Sequence, residues 1–146
     1  MDADKALEIQ LAGELLALDI ETLEERCLLQ DQADCPVQHH FGPGVYMREV
    51  FLPAGALVIG HAHKEASMNI MLQGELVLLV DGAVSVVRAP YMTVSLPGRK
   101  VAYVLEDTVW MNVHATEETD LAKLEARYVD KSPAFHAQQR LLEEMA

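Results

Sequence analysis

ELVLLVDGAVSVVR, residues 75–88, is two apolar, strand-forming runs joined by Asp81-Gly82. Asp-Gly suits a two-residue hairpin, because such turns need positive φ at their central positions and Gly supplies it without steric cost. This is the strongest hairpin signal in the chain, and similar texture extends both ways from it. Upstream, strand-like runs cover residues 45–52, 56–63, 67–72 and 75–80. Downstream they cover 84–88, 91–96, 101–105 and 108–114. Pro53-Ala54-Gly55, Gln73-Gly74-Glu75, Ala89-Pro90 and Pro97-Gly98 punctuate them with turn chemistry. Eight short strands at roughly ten-residue spacing, with no helix between them, predict an all-β sandwich or barrel, not a parallel α/β sheet.

The two ends read differently. Over residues 4–29, leucines recur at three- and four-residue steps among acidic residues, which predicts helix. Asp19 or Thr22 begins a second short helix, and Thr22 with Glu25 has a capping-box spacing. The leucines of this segment pack on the domain or on a neighbouring subunit. Residues 121–128 read as a helix or a last strand, and Ser132-Pro133 opens a terminal helix. The expected organisation is a helical segment over 1–32, a β-barrel over 33–130 and a helical tail over 131–146.

The chain has 146 residues, a size for one domain with a real core. Its net charge of −12 argues against nucleic acid and anionic membranes as partners, since their phosphates would be repelled. It suits cation binding or a basic protein partner. The acidic start MDADK is unlike a secretory leader, and the longest apolar run, 76–80, is too short to span a bilayer. With Cys27 and Cys35 outside any Cys-x-x-Cys pairing, the expectation is a cytoplasmic protein with free thiols.

The chemistry concentrates in GALVIGHAH, residues 55–63. His61 and His63 lie two apart on a predicted strand, so they share a face with small Ala62 between them. Both imidazoles are then within reach of one cation, and imidazole suits zinc, iron, nickel, copper and manganese. His39-His40, adjacent in a Pro/Gly-rich loop, point opposite ways and do not chelate.

Gly55, His61, His63 and Gly74 resemble the first motif of the cupin superfamily, with Ser67 standing where that motif has a glutamate. Pro97-Gly98 resembles the turn of the second motif, with Ala102 at its histidine position. The resemblance implies a small jelly-roll barrel with short helices at its ends, and a site for one divalent transition metal (zinc, iron, nickel or manganese). His114 is the candidate third ligand beside His61 and His63. Against this, Val109, Met111 and Val113 look like the better core face, which would turn His114 outward. Asn69, on the face of Ser67, and Glu65 are weaker candidates.

More narrowly, the chain resembles short cupin-like proteins of tailed bacteriophages, most without an assigned activity. ADCPV (33–37), HFGPGVY (40–46), REV (48–50), LPAG (52–55), PGRKV (97–101), EDTVWMN (106–112) and ATEETDL (115–121) carry that likeness, spanning Ala33 to Pro133. It implies host cytoplasm or virion as location.

Arg48, Arg99 and Lys100 are scarce cations in an acidic chain. Arg99-Lys100 after Pro97-Gly98 could grip a ligand phosphate or carboxylate, or Arg99 could pair with Glu106, Asp107 or another acid nearby. Trp110 is a pocket wall or plain core. Ser67, Asn69, Arg99 and Trp110 are thus the candidate ligand contacts. No Gly-x-Ser-x-Gly, phosphate loop or HExxH is present, and no two carboxylates are marked as an acid–base pair. Three functions follow in order: a binding module for a metal, a small ligand or both; a phage structural protein; and a metal-dependent dioxygenase or isomerase. Self-association, as a homodimer or higher oligomer, fits the first two.

Overall fold

A computed structural model describes residues 1–80 and 82–146. The Asp81 half of the expected hairpin turn lies outside the described residues. Its flanks, β5 (Ser67–Val80) and β6 (Ala83–Arg88), pair antiparallel from Val80↔Ala83 to Glu75↔Arg88, and Gly82 takes φ +76°. The remaining barrel strands are β1 (Val37–Gly42), β2 (Val45–Leu52), β3 (Leu57–Ile59), β7 (Tyr91–Ser95) and β8 (Val101–Ala115). All of them pair antiparallel in the order β1-β2-β8-β5-β6, with β3 on β8 and β7 on β5. β4 (Ala62–His63) and β9 (Val129–Asp130) form a small separate ribbon. This is the expected all-β jelly-roll barrel, carrying short α-helices at both ends.

One expected turn, at Gln73-Gly74-Glu75, and the expected break between 105 and 108 are absent, because β5 and β8 each run on through them. The run 101–114 is one strand, and 67–80 is one strand with register shifts between Met71 and Leu76. Gly74, at φ +104°, is part of that irregularity and not a turn. The shift changes the parity of β5. Ser67, Asn69 and Met71 face the barrel interior before it, and Leu76 and Leu78 face it afterwards. β8 keeps one parity throughout, so Ala102, Val104, Trp110, Asn112 and His114 all point inward. With β2's Val50 and Leu52 these side chains make the interior core. Burying each of its larger aliphatic members contributes about 1.5–3 kcal/mol.

The helices sit outside. α1 (Ala3–Leu16) is capped by Asp2, which accepts from the Lys5 backbone N–H at 2.7 Å. It lays Ala12 and Leu16 on the outward side chains Val77 and Val101. Leu7 and Leu11 remain exposed. α2 (Ile20–Leu28) starts at Asp19, whose carboxylate accepts from Thr22 N–H at 3.0 Å. Thr22 is therefore inside the helix and does not cap it. α3 (Leu121–Tyr128) resolves the ambiguity over 121–128 as a helix, and α4 (Pro133–Met145) is capped by Ser132 as expected. β1 had no counterpart among the expected strands. Its residues are mostly exposed, and their pattern carries no apolar alternation.

The barrel's outer face is not fully covered by helices. Met47, Val113, Met68 and Val94 form one row in register across β2, β8, β5 and β7. Met68, Leu72, Met92, Val94 and Leu96 are all exposed there.

A Cβ at Gly74 would lie against Thr108 Oγ1 and 2.6 Å from the Asp107 carbonyl oxygen, at a φ that L-residues avoid. Gly74→Ala is expected to cost roughly 3 kcal/mol in urea unfolding. Gly55→Ala, at φ +87° in open space, should cost only about 1 kcal/mol.

Candidate functional site

The interior of the barrel opens into a cavity of about 590 Å³. Its deeper wall is apolar: Val50, Leu52, Leu76, Leu78 and Ala102, with Trp110 beside them. Its other end gathers polar groups from four places. β2 contributes Tyr46 and Arg48, β8 contributes Asn112 and His114, and the segment 60–63 contributes His61 and His63. Lys100 comes from the residue before β8. α3 and the residues after it close over this end with Leu124, Glu125, Tyr128 and Lys131.

Strand pairing positions the polar groups. In register, Tyr46 stands opposite His114 and Arg48 opposite Asn112. The Asn112 side-chain amide donates to Asn69 Oδ1 at 2.7 Å, and the Asn69 amide donates to Ser95 Oγ. This chain of bonds satisfies buried polar groups that would otherwise cost stability. The His114 ring lies flat on Tyr128, centroids 3.9 Å apart, and Tyr46 stacks beyond it at 6.0 Å. The Tyr46 hydroxyl is 2.7 Å from His39 Nδ1.

The expected strand over 56–63 is interrupted. β3 ends at Ile59, and the Gly60 N–H bonds the Lys100 carbonyl at 3.0 Å. His63 then exchanges backbone hydrogen bonds with Gly98, at 2.8 and 2.9 Å. His61 and His63 still reach the same cavity. His61 meets the edge of Phe135 from α4, at 4.7 Å. Of the two orientations open to His114, the inward one is taken. Ala102, Val104, Trp110 and Asn112 put the even positions of β8 on the interior, and His114 keeps that parity through the register irregularities opposite β5.

The other expected contacts separate. Trp110 is both core and cavity wall. Asn69 and Ser67 are buried, Asn69 entirely, and Asn69 supports Asn112 from behind without lining the cavity. Arg99 is not among the residues that line the cavity. Its guanidinium donates to Glu24 of α2 (Nη2 to Oε2, 2.5 Å) and to the Gly60 carbonyl at 2.8 Å. Burial pushes the Glu24 carboxyl up, but hydrogen bonds from Arg99 and Ser132 outweigh it and hold the group below its ordinary value. Arg99 thus ties α2 to the barrel rim. Glu65 pairs with Arg127 at 3.5 Å.

Nδ1 of His61 and Nδ1 of His114 are buried without a hydrogen-bond partner, the kind of atom a metal would take. Yet among the described residues no three His, Cys, Asp or Glu side chains are grouped to hold one ion. Arg48 and Lys100 face the same space, and their charges oppose a cation. A transition metal would thus find two unpartnered imidazole nitrogens but no assembled ligand set among the described residues.

No protein-family model and no curated protein sequence matches the chain. Solved cupin structures resemble it in part. KdgF from a Halomonas species is 16% identical with a TM-score of 0.48, covering 57% of this chain and 82% of that one. An RmlC-like cupin family protein with a double-stranded β-helix fold, from Methanocaldococcus jannaschii, is 15% identical with a TM-score of 0.48. That match covers 60% of this chain and 85% of the other. The Cupin_2 domain of an XRE family transcriptional regulator from Enterobacter cloacae is 16% identical with a TM-score of 0.46, covering 54% and 93%.

Of the groups that shape the cavity, Tyr46, Asn112, Tyr128 and Lys131 escaped the sequence reading. Tyr46 and Asn112 share the parity of Arg48 and His114 on their strands, a signal available once the inward phase is known. Tyr128 and Lys131 carry none, because only the return of the chain over the barrel brings them there.

The His63 imidazole is held neutral, its pKa lowered to about 4 by burial first, then by Lys100, His114, Arg48 and His61. Burial also lowers His61 and His114. Unfolding releases these groups to their ordinary value, so below about pH 6.5 the unfolded chain binds more protons. Stability is expected to be full above pH 6.5 and to fall as the pH drops toward 4, His63 contributing about 3 kcal/mol of the loss. Urea unfolding midpoints of the protein and of His63→Gln across that window check this, the variant losing less.

Proposed function

We propose that the chain is a small-molecule binding module whose ligand occupies the barrel, without turnover. One observation carries this: a cavity of about 590 Å³ with an apolar floor and converging polar groups at one end, the form that ligand sites take. The zinc, iron, nickel or manganese ion expected from the sequence is not part of this reading, because the histidines lack a grouped ligand set. Glu125, the one carboxylate among the described lining residues, is engaged by Lys131, which leaves no carboxylate free as a general base.

Trp110 is the only tryptophan in the chain and stands on the cavity wall, so its fluorescence reports occupancy. In a broad metabolite screen, a true ligand should change Trp110 emission and raise the unfolding midpoint. At a hundred times its Kd the gain is about 2.7 kcal/mol. Val58→Phe, which fills the cavity from β3, should abolish both signals. A screen in which nothing shifts either signal would remove this reading.

A second reading, association with another copy of the chain, is favoured by the exposed outer face at Met68, Leu72, Met92 and Val94. Copies carrying −12 each repel except through an uncharged surface, and the in-register row across β2, β8, β5 and β7 is apolar throughout. Sedimentation should show a dimer that Met92→Lys/Val94→Lys converts to monomer with the fold intact. A wild-type monomer at high concentration removes it.

A further inference from the structure

The cavity's charge runs against that of the chain. The protein carries 23 Asp and Glu against 11 Lys and Arg, yet the described cavity wall holds Arg48, Lys100 and Lys131 against Glu125 alone. Glu125 is taken by Lys131. Arg48 and Lys100 make no ion pair and no side-chain hydrogen bond with any described residue, and both are largely withdrawn from solvent. In so acidic a chain, two half-buried cations without counter-charge are an uncompensated cost.

The two cations bear on the same place. Arg48 stands in register with Asn112 on β8. Lys100 is fixed by its carbonyl to Gly60, the neighbour of His61. His63 lines the same cavity as both, and its proton is disfavoured by burial first, then by Lys100, His114 and Arg48. A neutral imidazole can donate one hydrogen bond without carrying a charge of its own. Lys100 is itself pushed below its ordinary pKa by burial, a stress that an adjacent anion relieves.

Resting on the reading of the barrel as a ligand site, we infer that its ligand is a small organic anion, a carboxylate or phosphate ester gripped between Arg48 and Lys100, with an apolar body on Trp110 and Leu78. The guanidinium supplies a planar fork of donors and the ammonium a compact charge, both suited to a planar carboxylate or a phosphate. The apolar floor rejects a bare inorganic ion as the best occupant, since that would leave the deeper half of the cavity unfilled.

The test compares charge at constant shape. Benzoate and phenyl phosphate are titrated against benzamide and benzyl alcohol, reading Trp110 fluorescence and the unfolding midpoint, with inorganic phosphate as a fifth probe. The anions are expected to bind about tenfold or more tighter than their neutral counterparts and tighter than inorganic phosphate. Arg48→Gln and Lys100→Gln should each lose most of that advantage, weakening the anions far more than benzamide. A second measurement needs no ligand: Arg48→Met and Lys100→Met should raise the midpoint of the free protein, because each removes an uncompensated charge. If the neutral compounds bind as well as the anions, the cavity reading stands and the anion assignment is overturned. If no probe binds and the Met variants lower the midpoint, the anion assignment is overturned through the cations themselves, which then serve packing; the metabolite screen separately decides the cavity.

Discussion

Pairing of β5 with β8 is the constraint from which the other features follow. These two long strands lie side by side, and each serves two different neighbours along its length: β7 then β6 for β5, β3 then β2 for β8. A strand that changes partner midway has to bend, and the register shifts around Gly74 supply the bend at the one place where no side chain fits. Because β8 keeps its phase while β5 changes, the interior receives apolar residues at one end and the Asn69–Asn112 pair, His114 and Arg48 at the other. The division of the cavity into a dry floor and a polar mouth is thus a property of one strand pair. The outward side chains of the same strands then decide what covers the barrel, a helix over Val77 and Val101 and no described element over Met68 and Val94.

Electrostatics adds a second layer of order. The few positive charges of this acidic chain are not scattered. Lys5 and Arg88 converge on Glu75, which is 3% exposed, at 2.6 and 2.5 Å, and Arg99 meets Glu24 at the rim. Each of these joins elements distant in sequence: α1 to β5 and β6, and α2 to the edge of the barrel. Removing one partner of such a buried pair leaves the other without compensation. Against these satisfied pairs, the solitary state of Arg48 and Lys100 has meaning. Arg48, Arg99 and Lys100 stand out in the sequence by their scarcity, but scarcity alone does not separate the clamp from the cavity. Neighbouring residues 99 and 100 turn opposite ways, one to Glu24 and the other to the interior.

The fold was largely legible. Alternation, turn residues and the helical spacing of leucines are local signals, and they placed the barrel strands, both N-terminal helices and the C-terminal helix. They failed where a tertiary demand overrode local chemistry. Gln73-Gly74-Glu75 has turn composition but runs on within β5, paired to β8 on one side and, from Glu75, to β6 on the other, and β1 exists because it has β2 to pair with. The site was legible in part. His61 and His63 were found by spacing, and they do share a cavity although the strand expected to present them is broken. The inward phase of His114 stayed open in the sequence because Val109, Met111 and Val113 are more hydrophobic than the face opposite. The stacking that shelters His114, on Tyr128 from a segment after the barrel, is invisible to any local pattern.

That segment has a consequence for how such a protein can diversify. The floor of the cavity is woven from strands whose pairing partners constrain every residue, whereas much of its roof, Leu124, Glu125, Tyr128 and Lys131, comes from one short continuous stretch at the end of the barrel. A handful of neighbouring codons can therefore reshape the entrance while the woven part stays as it is. Changing what is admitted and keeping the protein folded become nearly separate problems, solved by different lengths of the same chain.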